Sequence, residues 1–193
     1  MQMTDPLPQA NNCQYAACYC EENVYKLVEN VSVEHPTPLG NTWVVFISNS
    51  GRCVPLWNQK AGRKGDGLVV WDYHVILLYS EDGKTRVYDL DTRLPFPVDF
   101  STYSEVTLGS EEQLDQKFHR RFRVISGADY IVNLSSDRRH MKTEDGWLQP
   151  QPSWACIQGN HGELHNLDSF INMDEEHGIG KVFNLETFVG QFS

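Results

Sequence analysis

The stretch Cys18-Tyr19-Cys20-Glu21-Glu22-Asn23 leads directly into residues that have the apolar spacing of a helix. Valine or leucine recurs at positions 24, 27, 28 and 31, which lie on one face of an α-helix. Glu21 and Glu22 fall in its first turn, where the positive end of the helix dipole stabilises acidic side chains. The pattern predicts a helix that has Cys20 at or just before its N-terminus and continues to about Val33.

The predicted position of Cys20 favours a reactive thiol. Unpaired backbone N–H groups and the dipole at a helix N-terminus stabilise an anion. They therefore lower a thiol pKa from its ordinary value of about 8.5. On this ground we expect Cys20 to serve as a thiolate nucleophile.

Residues 69–91 have the pattern of a β-hairpin. Residues 69–79 and 85–91 are rich in β-branched and aromatic side chains, and Glu81-Asp82-Gly83-Lys84 joins the two runs. A turn at Asp82-Gly83 places His74 opposite Asp91, with Asp89 on the diagonal. The hairpin therefore predicts that one of these two aspartates holds the imidazole.

Side-chain alternation along the hairpin assigns its polar and aromatic residues to opposite faces. The polar face carries Asp72, His74, Asp89 and Asp91, whereas Trp71 and Tyr73 are expected to point the other way, into the core. A thiol at a helix N-terminus, an imidazole and an orienting carboxylate are the parts of a cysteine-nucleophile site. Packed side chains without catalytic function are the alternative, since most cysteines are buried hydrophobes.

A metal site is a further alternative for the cluster of Cys13, Cys18 and Cys20. Their C-x4-C-x-C spacing matches neither the usual zinc pairs nor an iron–sulfur run. We therefore predict no metal here. The remaining cysteines, Cys53 and Cys156, are expected to be buried structural residues.

The composition is that of an ordinary folded, soluble protein of 193 residues, with 40% hydrophobic and 22% charged residues. A net charge of −10 argues against nucleic acid backbones and anionic membranes as partners. Residues 1–12 lack the features of a signal peptide, and the strongest apolar run, residues 75–79, is far shorter than the roughly 20 residues of a membrane span. An odd count of five cysteines predicts free thiols in a reducing compartment. We expect a monomer in the cytosol or nucleus.

The remaining patterns predict an α+β fold with a mainly antiparallel sheet. Residues 1–12 are expected to form a flexible lead-in and residues 13–193 a single domain. The expected elements are strands at 43–48, 53–57 and 122–125, helices at 110–121, 167–173 and 185–192, a helix or strand at 129–134, and a long ordered loop at 135–164. The basic run of Arg120, Arg121 and Arg123 is expected to be a solvated face.

Several unusual strings resemble the protein N-terminal glutamine amidohydrolase family, in the family's order and from about Cys13 to the end of the chain. They are Cys18-Tyr19-Cys20-Glu21-Glu22-Asn23, Phe46-Ile47-Ser48-Asn49, Trp71-Asp72-Tyr73-His74-Val75, Tyr88-Asp89-Leu90-Asp91-Thr92, Leu94-Pro95-Phe96-Pro97, Arg121-Phe122-Arg123-Val124-Ile125, Ser136-Asp137-Arg138 with His140-Met141, and Asn166-Leu167-Asp168-Ser169-Phe170-Ile171. Residues 146–165 look divergent.

The resemblance implies an α–β–α arrangement related to papain-like and transglutaminase-like thiol enzymes. It also implies a catalytic triad of Cys20, rather than Cys18, with His74 and Asp89, leaving Asp91 as a neighbour. Neither a metal nor an organic cofactor is implied. The single domain at 13–193 is then the catalytic domain.

The reaction implied is conversion of an N-terminal glutamine of a protein or peptide to glutamate and ammonia through a thioester, feeding the N-degron pathway in cytoplasm and nucleus. A substrate with a free N-terminus needs a group that reads its α-ammonium, and we expect Glu21, Asp72 or Asp91 to do so. Another thiol enzyme of this scaffold (an internal-glutamine deamidase, a transglutaminase or a protease) and a non-catalytic interaction domain remain alternatives.

Overall fold

The structure is a computed structural model that describes residues 7–34 and 38–193. Its strands are β1 (Thr42–Ser48), β2 (Val54–Leu56), β3 (Val69–Trp71), β4 (His74–Glu81), β5 (Lys84–Tyr88), β6 (Val98–Asp99), β7 (Arg121–Ser126), β8 (Lys142–Thr143), β9 (Gly146–Trp147) and β10 (Lys181–Phe183). Its α-helices are α1 (Cys20–Glu34), α2 (Phe100–Tyr103), α3 (Gly127–Asn133), α4 (Leu167–Ile171) and α5 (Leu185–Phe192).

The main sheet has six strands in the order β10-β7-β1-β4-β5-β6, and every neighbouring pair is antiparallel. Strand β1 lies between β7 and β4, and Val44, Val45, Phe46 and Ile47 are fully buried. A run of apolar residues on both faces is typical of such a central strand. The predicted buried strand at 43–48 is confirmed.

Helices cover both faces of this sheet. Alternate β1 residues point to opposite sides, so Val44 and Phe46 pack with α1, α3 and α4 in one cluster. Val45 and Ile47 pack with α2 and α5 in the other. The mixed fold with a mainly antiparallel sheet and α–β–α layers is confirmed, while its kinship with papain-like and transglutaminase-like enzymes stays a prediction.

The predicted hairpin is present with its expected register, because Leu77 pairs with Tyr88 and Glu81 with Lys84. The expected continuous strand at 69–79 is wrong, since it breaks between β3 and β4. Strand β3 pairs instead with β2 in a separate two-stranded sheet. Because of this break, Trp71 does not point away from His74, and the two rings stack with centroids 5.2 Å apart.

The helix predicted at 110–121 is also wrong. That segment contains only a short 3-10 turn, Gln116–Phe118, whereas helical structure occurs earlier, over α2 and the π-helical turn Ser104–Leu108. Tertiary contacts override helical spacing here, because Glu111 Oε1 accepts hydrogen bonds from the backbone N and Nε of Arg120. Arg120 and Arg123 are fully buried, so the basic run is not a solvated face.

The end of the chain follows the sequence patterns more closely. Helices α4 and α5 and strand β7 lie where they were predicted, and residues 129–133 belong to a helix, α3, for which Leu134 is the C-cap. The long loop at 135–164 is present and contains the small β8–β9 hairpin. Strands β6 and β10, which are two and three residues long, were not predicted. Cys53 is half-buried and Cys156 exposed, contrary to expectation.

The flexible lead-in at 1–12 and the single domain at 13–193 stay predictions. Residues 1–6 lie outside the described residues, whereas Leu7 packs in the core and Ala10–Asn12 forms a 3-10 turn. Among the helices of the described ranges, none combines the length and the apolar composition that crossing a bilayer requires.

Candidate active site

Cys20 is the first residue of α1, as the sequence predicted. The chain reaches it through Cys18, whose left-handed backbone (φ 64°) turns the loop into the helix. The side chain of Asn23 clamps this loop, because it accepts a hydrogen bond from the backbone N of Ala16 and donates one to its carbonyl. Cys18 is left exposed, and Cys20 is buried.

The surroundings of Cys20 raise the pKa of its thiol well above its usual value. Burial is the largest cause, followed by the charges of Glu21 and Asp91, whereas the backbone N–H of Val75 opposes them by donating to the sulfur. The thiol itself donates to Glu21 Oε2 at 3.8 Å. The position at a helix N-terminus is therefore confirmed, but the lowered pKa predicted from it is wrong, because burial and the neighbouring carboxylates raise the pKa of the thiol.

His74 is the first residue of β4 and directly precedes Val75, the residue whose N–H contacts the thiol. Its Nε2 lies 2.9 Å from Asp89 Oδ1, and Trp71 stacks on its ring. Burial lowers the pKa of His74, but the charge and hydrogen bond of Asp89 outweigh burial and raise it. Nδ1 is buried with no hydrogen-bond partner among the described residues, so it is available to take a proton.

Asp89 follows the last residue of β5, where the chain leaves the sheet, and its carboxylate is buried. Besides His74 it accepts hydrogen bonds from Gln59 Nε2 (3.1 Å), the Tyr103 hydroxyl (2.9 Å) and the backbone N of Asp91 (2.9 Å). Burial opposes its ionisation, but the charge and hydrogen bond of His74, with the hydrogen bonds from Gln59 and the backbone N of Asp91, prevail and lower the pKa of Asp89. It is a fixed, ionised partner for the imidazole.

Asp91, the other aspartate of the predicted hairpin face, has a different partner. Its Oδ1 accepts a hydrogen bond of 2.6 Å from the hydroxyl of Tyr15. The ladder between β4 and β5 ends at the pair of Leu77 and Tyr88, so the chain turns before Asp91 can pair with His74. Geometry therefore selects Asp89 as the residue that holds the imidazole.

A cavity of about 390 Å³ opens beside the thiol. Its walls include Cys18, Cys20, Trp71, Asp72, Asp91 and His140. Two of the predicted substrate-binding residues, Asp72 and Asp91, thus line the cavity. The third, Glu21, is fully buried behind the wall, next to Cys20.

Three residues at this site were missed by sequence reasoning. Gln59 and Tyr103 reach Asp89 from a loop and from α2, and no local spacing could reveal contacts across 30 and 14 positions. His140 lies with Nε2 3.4 Å from Glu21 Oε1. Its only sequence signal was the string His140-Met141 among those that resembled the family.

A buried ion pair attaches the loop that carries His140 to α1. Arg138 donates to both carboxylate oxygens of Glu22 at 2.9 and 2.8 Å, and Trp154 Nε1 donates to the same carboxylate at 2.7 Å. Arg138 also donates to backbone carbonyls of the loop, including that of Ala155. Residues 146–165, from which the family resemblance transferred nothing, also contribute Leu148 and Gln149 to the cavity wall.

Within residues 7–34 and 38–193, only His74, Asp89 and Asp91 gather three potential metal ligands, with their donor atoms within 4.8 Å of one another. The oxygens of Asp89 already accept four N–H or O–H groups, which suits an anchored carboxylate. The thiol of Cys13 contacts the carbonyl of Gln9 at 3.4 Å. The prediction that no metal binds remains untested.

Known proteins resemble this chain along most of its length. The family model for N-terminal glutamine amidase matches residues 15–192. The protein N-terminal glutamine amidohydrolase of Bos taurus is 47% identical over 188 residues, covering 96% of this chain and 90% of the relative. The proteins of the same name from Drosophila melanogaster and Homo sapiens are 46% and 44% identical over 187 residues, covering 96% of this chain and 91% and 90% of the relatives. The chain belongs to the N-terminal glutamine amidase family.

Proposed function

We propose that this protein hydrolyses the side-chain amide of an N-terminal glutamine, giving N-terminal glutamate and ammonia. Its substrates are proteins or peptides with a free N-terminal glutamine. One arrangement of residues carries the proposal. Cys20 begins α1, its sulfur accepts a hydrogen bond from the backbone N–H of Val75, and the preceding residue, His74, is hydrogen-bonded through Nε2 to Asp89. The family match over residues 15–192 supports the choice of substrate.

The first half of the reaction is acylation of the thiol. His74 Nδ1 takes the proton of Cys20, whose sulfur attacks the γ-carboxamide carbon and forms a tetrahedral oxyanion. Backbone N–H groups in the first turn of α1 stabilise the oxyanion, because they lack partners within the helix. The imidazolium then protonates the departing nitrogen. Ammonia leaves, and the substrate remains bound to Cys20 as a thioester.

The second half releases the product. His74, neutral again, takes a proton from water, and the resulting hydroxide attacks the thioester carbonyl. The tetrahedral intermediate collapses to glutamate, and the proton returns through His74 to the sulfur of Cys20. Asp89 accepts a hydrogen bond from Nε2–H throughout, so the proton stays on Nε2 and Nδ1 remains the nitrogen that exchanges protons with the reacting atoms.

Selection for a first residue requires contacts with its α-ammonium. Asp72 and Asp91 line the cavity and Glu21 lies behind it, so the site is acidic where a cationic terminus enters. Arg52, a basic residue on the cavity wall, is paired with Asp168 at 2.6 Å. Asparagine is excluded because a side chain one methylene shorter holds its amide carbon out of reach of the sulfur.

The family resemblance extends the proposal to the cell. Conversion of glutamine to glutamate prepares the N-terminus for arginylation and the N-degron pathway, in cytoplasm and nucleus. The protein acts as a monomer, without cofactor, nucleic acid or membrane partner. The net charge of −10 supports the last two points, because nucleic acids and membrane surfaces are anionic.

Mass spectrometry of four peptides after incubation with the protein tests the proposal. The peptides begin with glutamine, begin with asparagine, carry glutamine internally, or begin with acetylated glutamine. Only the first should gain the mass change of deamidation, and Cys20→Ala and His74→Ala should abolish it. The variant Cys18→Ala is the matched control and should keep the activity, since the exposed Cys18 is not the nucleophile.

The same peptides separate the other candidates. Cleavage of the chain indicates a protease, incorporation of an added amine a transglutaminase, and conversion of internal glutamine a general deamidase. Absence of every product from all four peptides indicates a non-catalytic domain. Each of these results overturns the proposed reaction.

A further inference from the structure

Glu21 places a carboxylate where a thiolate nucleophile is least favoured. It is fully buried, and its Oε2 accepts a hydrogen bond of 3.8 Å from the thiol of Cys20. The Tyr73 hydroxyl donates to the same oxygen at 2.9 Å. This arrangement stabilises the protonated form of Cys20, because a thiolate beside a buried anion suffers like-charge repulsion.

The second oxygen of Glu21 is incompletely satisfied. Oε1 is buried and has no hydrogen-bond donor among the described residues. Nε2 of His140 lies 3.4 Å from it, and both ring nitrogens of His140 also lack hydrogen bonds within those residues. A buried acceptor without a donor costs free energy that a cationic ligand can recover.

The cavity beside Glu21 has the charge to attract such a ligand. Asp72 and Asp91 line it, while its arginine, Arg52, is already paired with Asp168. The charged groups that act on Cys20 are therefore mostly anionic. The nearby bases are His140, which lines the cavity, and His74, which directly precedes the Val75 N–H that contacts the sulfur. A positive charge bound among the three carboxylates would offset the field that they impose on the sulfur.

We propose that Glu21, together with Asp72 and Asp91, holds Cys20 as an unreactive thiol until the α-ammonium of the substrate binds and offsets their charge. The inference rests on the proposed function, because that substrate carries the ammonium. On binding, the proton of Cys20 moves to His74 Nδ1, and no other bond changes. Glu21 thus acts as a specificity-determining residue by coupling recognition of the N-terminus to activation of the nucleophile.

This coupling distinguishes a free N-terminal glutamine from an internal or acetylated one at the chemical step, and not only at binding. An internal or acetylated glutamine that enters the cavity brings no positive charge, so the thiol stays protonated and no thioester forms. The free enzyme is also protected from alkylation and oxidation, which require the thiolate. A thiol activated by the fold alone would have neither property.

The variant Glu21→Gln tests the coupling because it should change two rates in opposite directions. Loss of the carboxylate should speed alkylation of Cys20 by iodoacetamide at neutral pH by about tenfold, because the thiolate fraction rises when the neighbouring negative charge is removed. The same variant should lower kcat/KM for a peptide with N-terminal glutamine by about tenfold or more, because the ammonium loses its partner. The amide oxygen of glutamine can still accept from Tyr73, which limits damage to the fold.

The variant Glu29→Gln is the matched control, since it removes a carboxylate from the same helix at a site that pairs with Lys26. It should leave both rates near the wild-type values. Asp72→Asn provides a second test at an exposed position and should move both rates in the same directions as Glu21→Gln, by smaller factors.

Alkylation that is unchanged or slower in both Glu21→Gln and Asp72→Asn overturns the inference, whatever happens to hydrolysis. Faster alkylation with undiminished kcat/KM also overturns it, because recognition and activation are then separate. Failure of the wild type to deamidate any N-terminal glutamine peptide overturns the proposed function instead. In that case, faster alkylation of Glu21→Gln would still support the part of the inference that Glu21 keeps the thiol of Cys20 protonated.

Discussion

The hydroxyl of Tyr103 donates a hydrogen bond of 2.9 Å to Oδ2 of Asp89, and both residues are buried. Tyr103 is the last residue of α2, whose side chains pack in the apolar cluster shared with α5. Asp89 lies at the end of β5 and holds His74 with its other oxygen. The orientation of the His74 imidazole therefore depends on a helix from the opposite layer of the fold.

Replacement of Tyr103 by phenylalanine should loosen this arrangement. Removal of one donor to a buried carboxylate should lower the free energy of unfolding by about 1.5–3 kcal/mol and also lower kcat. Urea denaturation and peptide deamidation measure the two effects. Tyr15→Phe is the matched control because its hydroxyl contacts Asp91, so it should leave kcat near the wild-type value. Equal losses of kcat in the two variants would contradict the role of Tyr103.

The two aspartates of the hairpin should respond differently to replacement by asparagine. Asp89→Asn removes the charge that orients the imidazole and favours its protonated form, so kcat should fall by about 10²- to 10⁴-fold. Asp91→Asn keeps an acceptor for Tyr15 and should raise KM more than it lowers kcat. Steady-state kinetics on a glutamine-initiated peptide separate the outcomes. A collapse of kcat in Asp91→Asn alone would reverse the assignment.

The paired shifts of His74 and Asp89 predict a pH window for stability. The folded pKa of Asp89 lies below 3.8, so its ionised form contributes stability that is complete above the unfolded value and is lost as the pH falls through the folded pKa. The folded pKa of His74 lies above 6.5, so its contribution is complete below that value and is lost as the pH rises through the folded pKa. Both contributions coincide between about pH 4 and pH 6.5.

Chemical denaturation of the wild type and Asp89→Asn over the acid-to-alkaline range checks this window. The difference in free energy of unfolding between them should be largest inside it and should shrink on both sides. The other carboxylates are the same in both proteins, so their contributions cancel in the difference in free energy of unfolding. A difference that does not vary with pH would show that the pair carries no net charge interaction.

Replacement of either residue of the buried ion pair, Glu22 or Arg138, should strongly destabilise the fold. Arg138→Met leaves the Glu22 carboxylate buried without its cation, which should lower the free energy of unfolding by about 3–5 kcal/mol. The double variant with Glu22→Gln should lose much less than the sum of the single losses, since no unpaired charge remains. Denaturation of the four proteins completes the cycle, and additive losses would contradict the pairing. The exposed pair of Arg63 and Asp66 provides a control cycle with small effects.

Some sequence predictions failed because tertiary contacts outweighed local spacing. The acidic start of the segment 110–121 favoured a helix, but Glu111 is used instead to hold the buried Arg120. Residues 69–79 have the composition of one strand, yet Asp72 and Tyr73 interrupt it so that β3 pairs with β2 outside the main sheet. Helical and strand periodicity does not report these contacts, because Glu111 and Arg120 are nine positions apart and β2 and β3 are separated by a loop.

Periodicity and turn chemistry, which act over a few residues, were enough to place Cys20 at the start of α1 and to set the register of the β4–β5 hairpin. From the sequence alone the family resemblance could also be recognised. Spacing left open which aspartate holds His74, and the resemblance implied Asp89. The tertiary structure shows the contact between His74 and Asp89, and it alone decided the environment of the thiol. Both depend on burial and on groups such as Gln59 and Glu21 that converge from separate elements. Desolvation and charge act through space, so the pKa of Cys20 follows from the packed fold and not from its place in a motif.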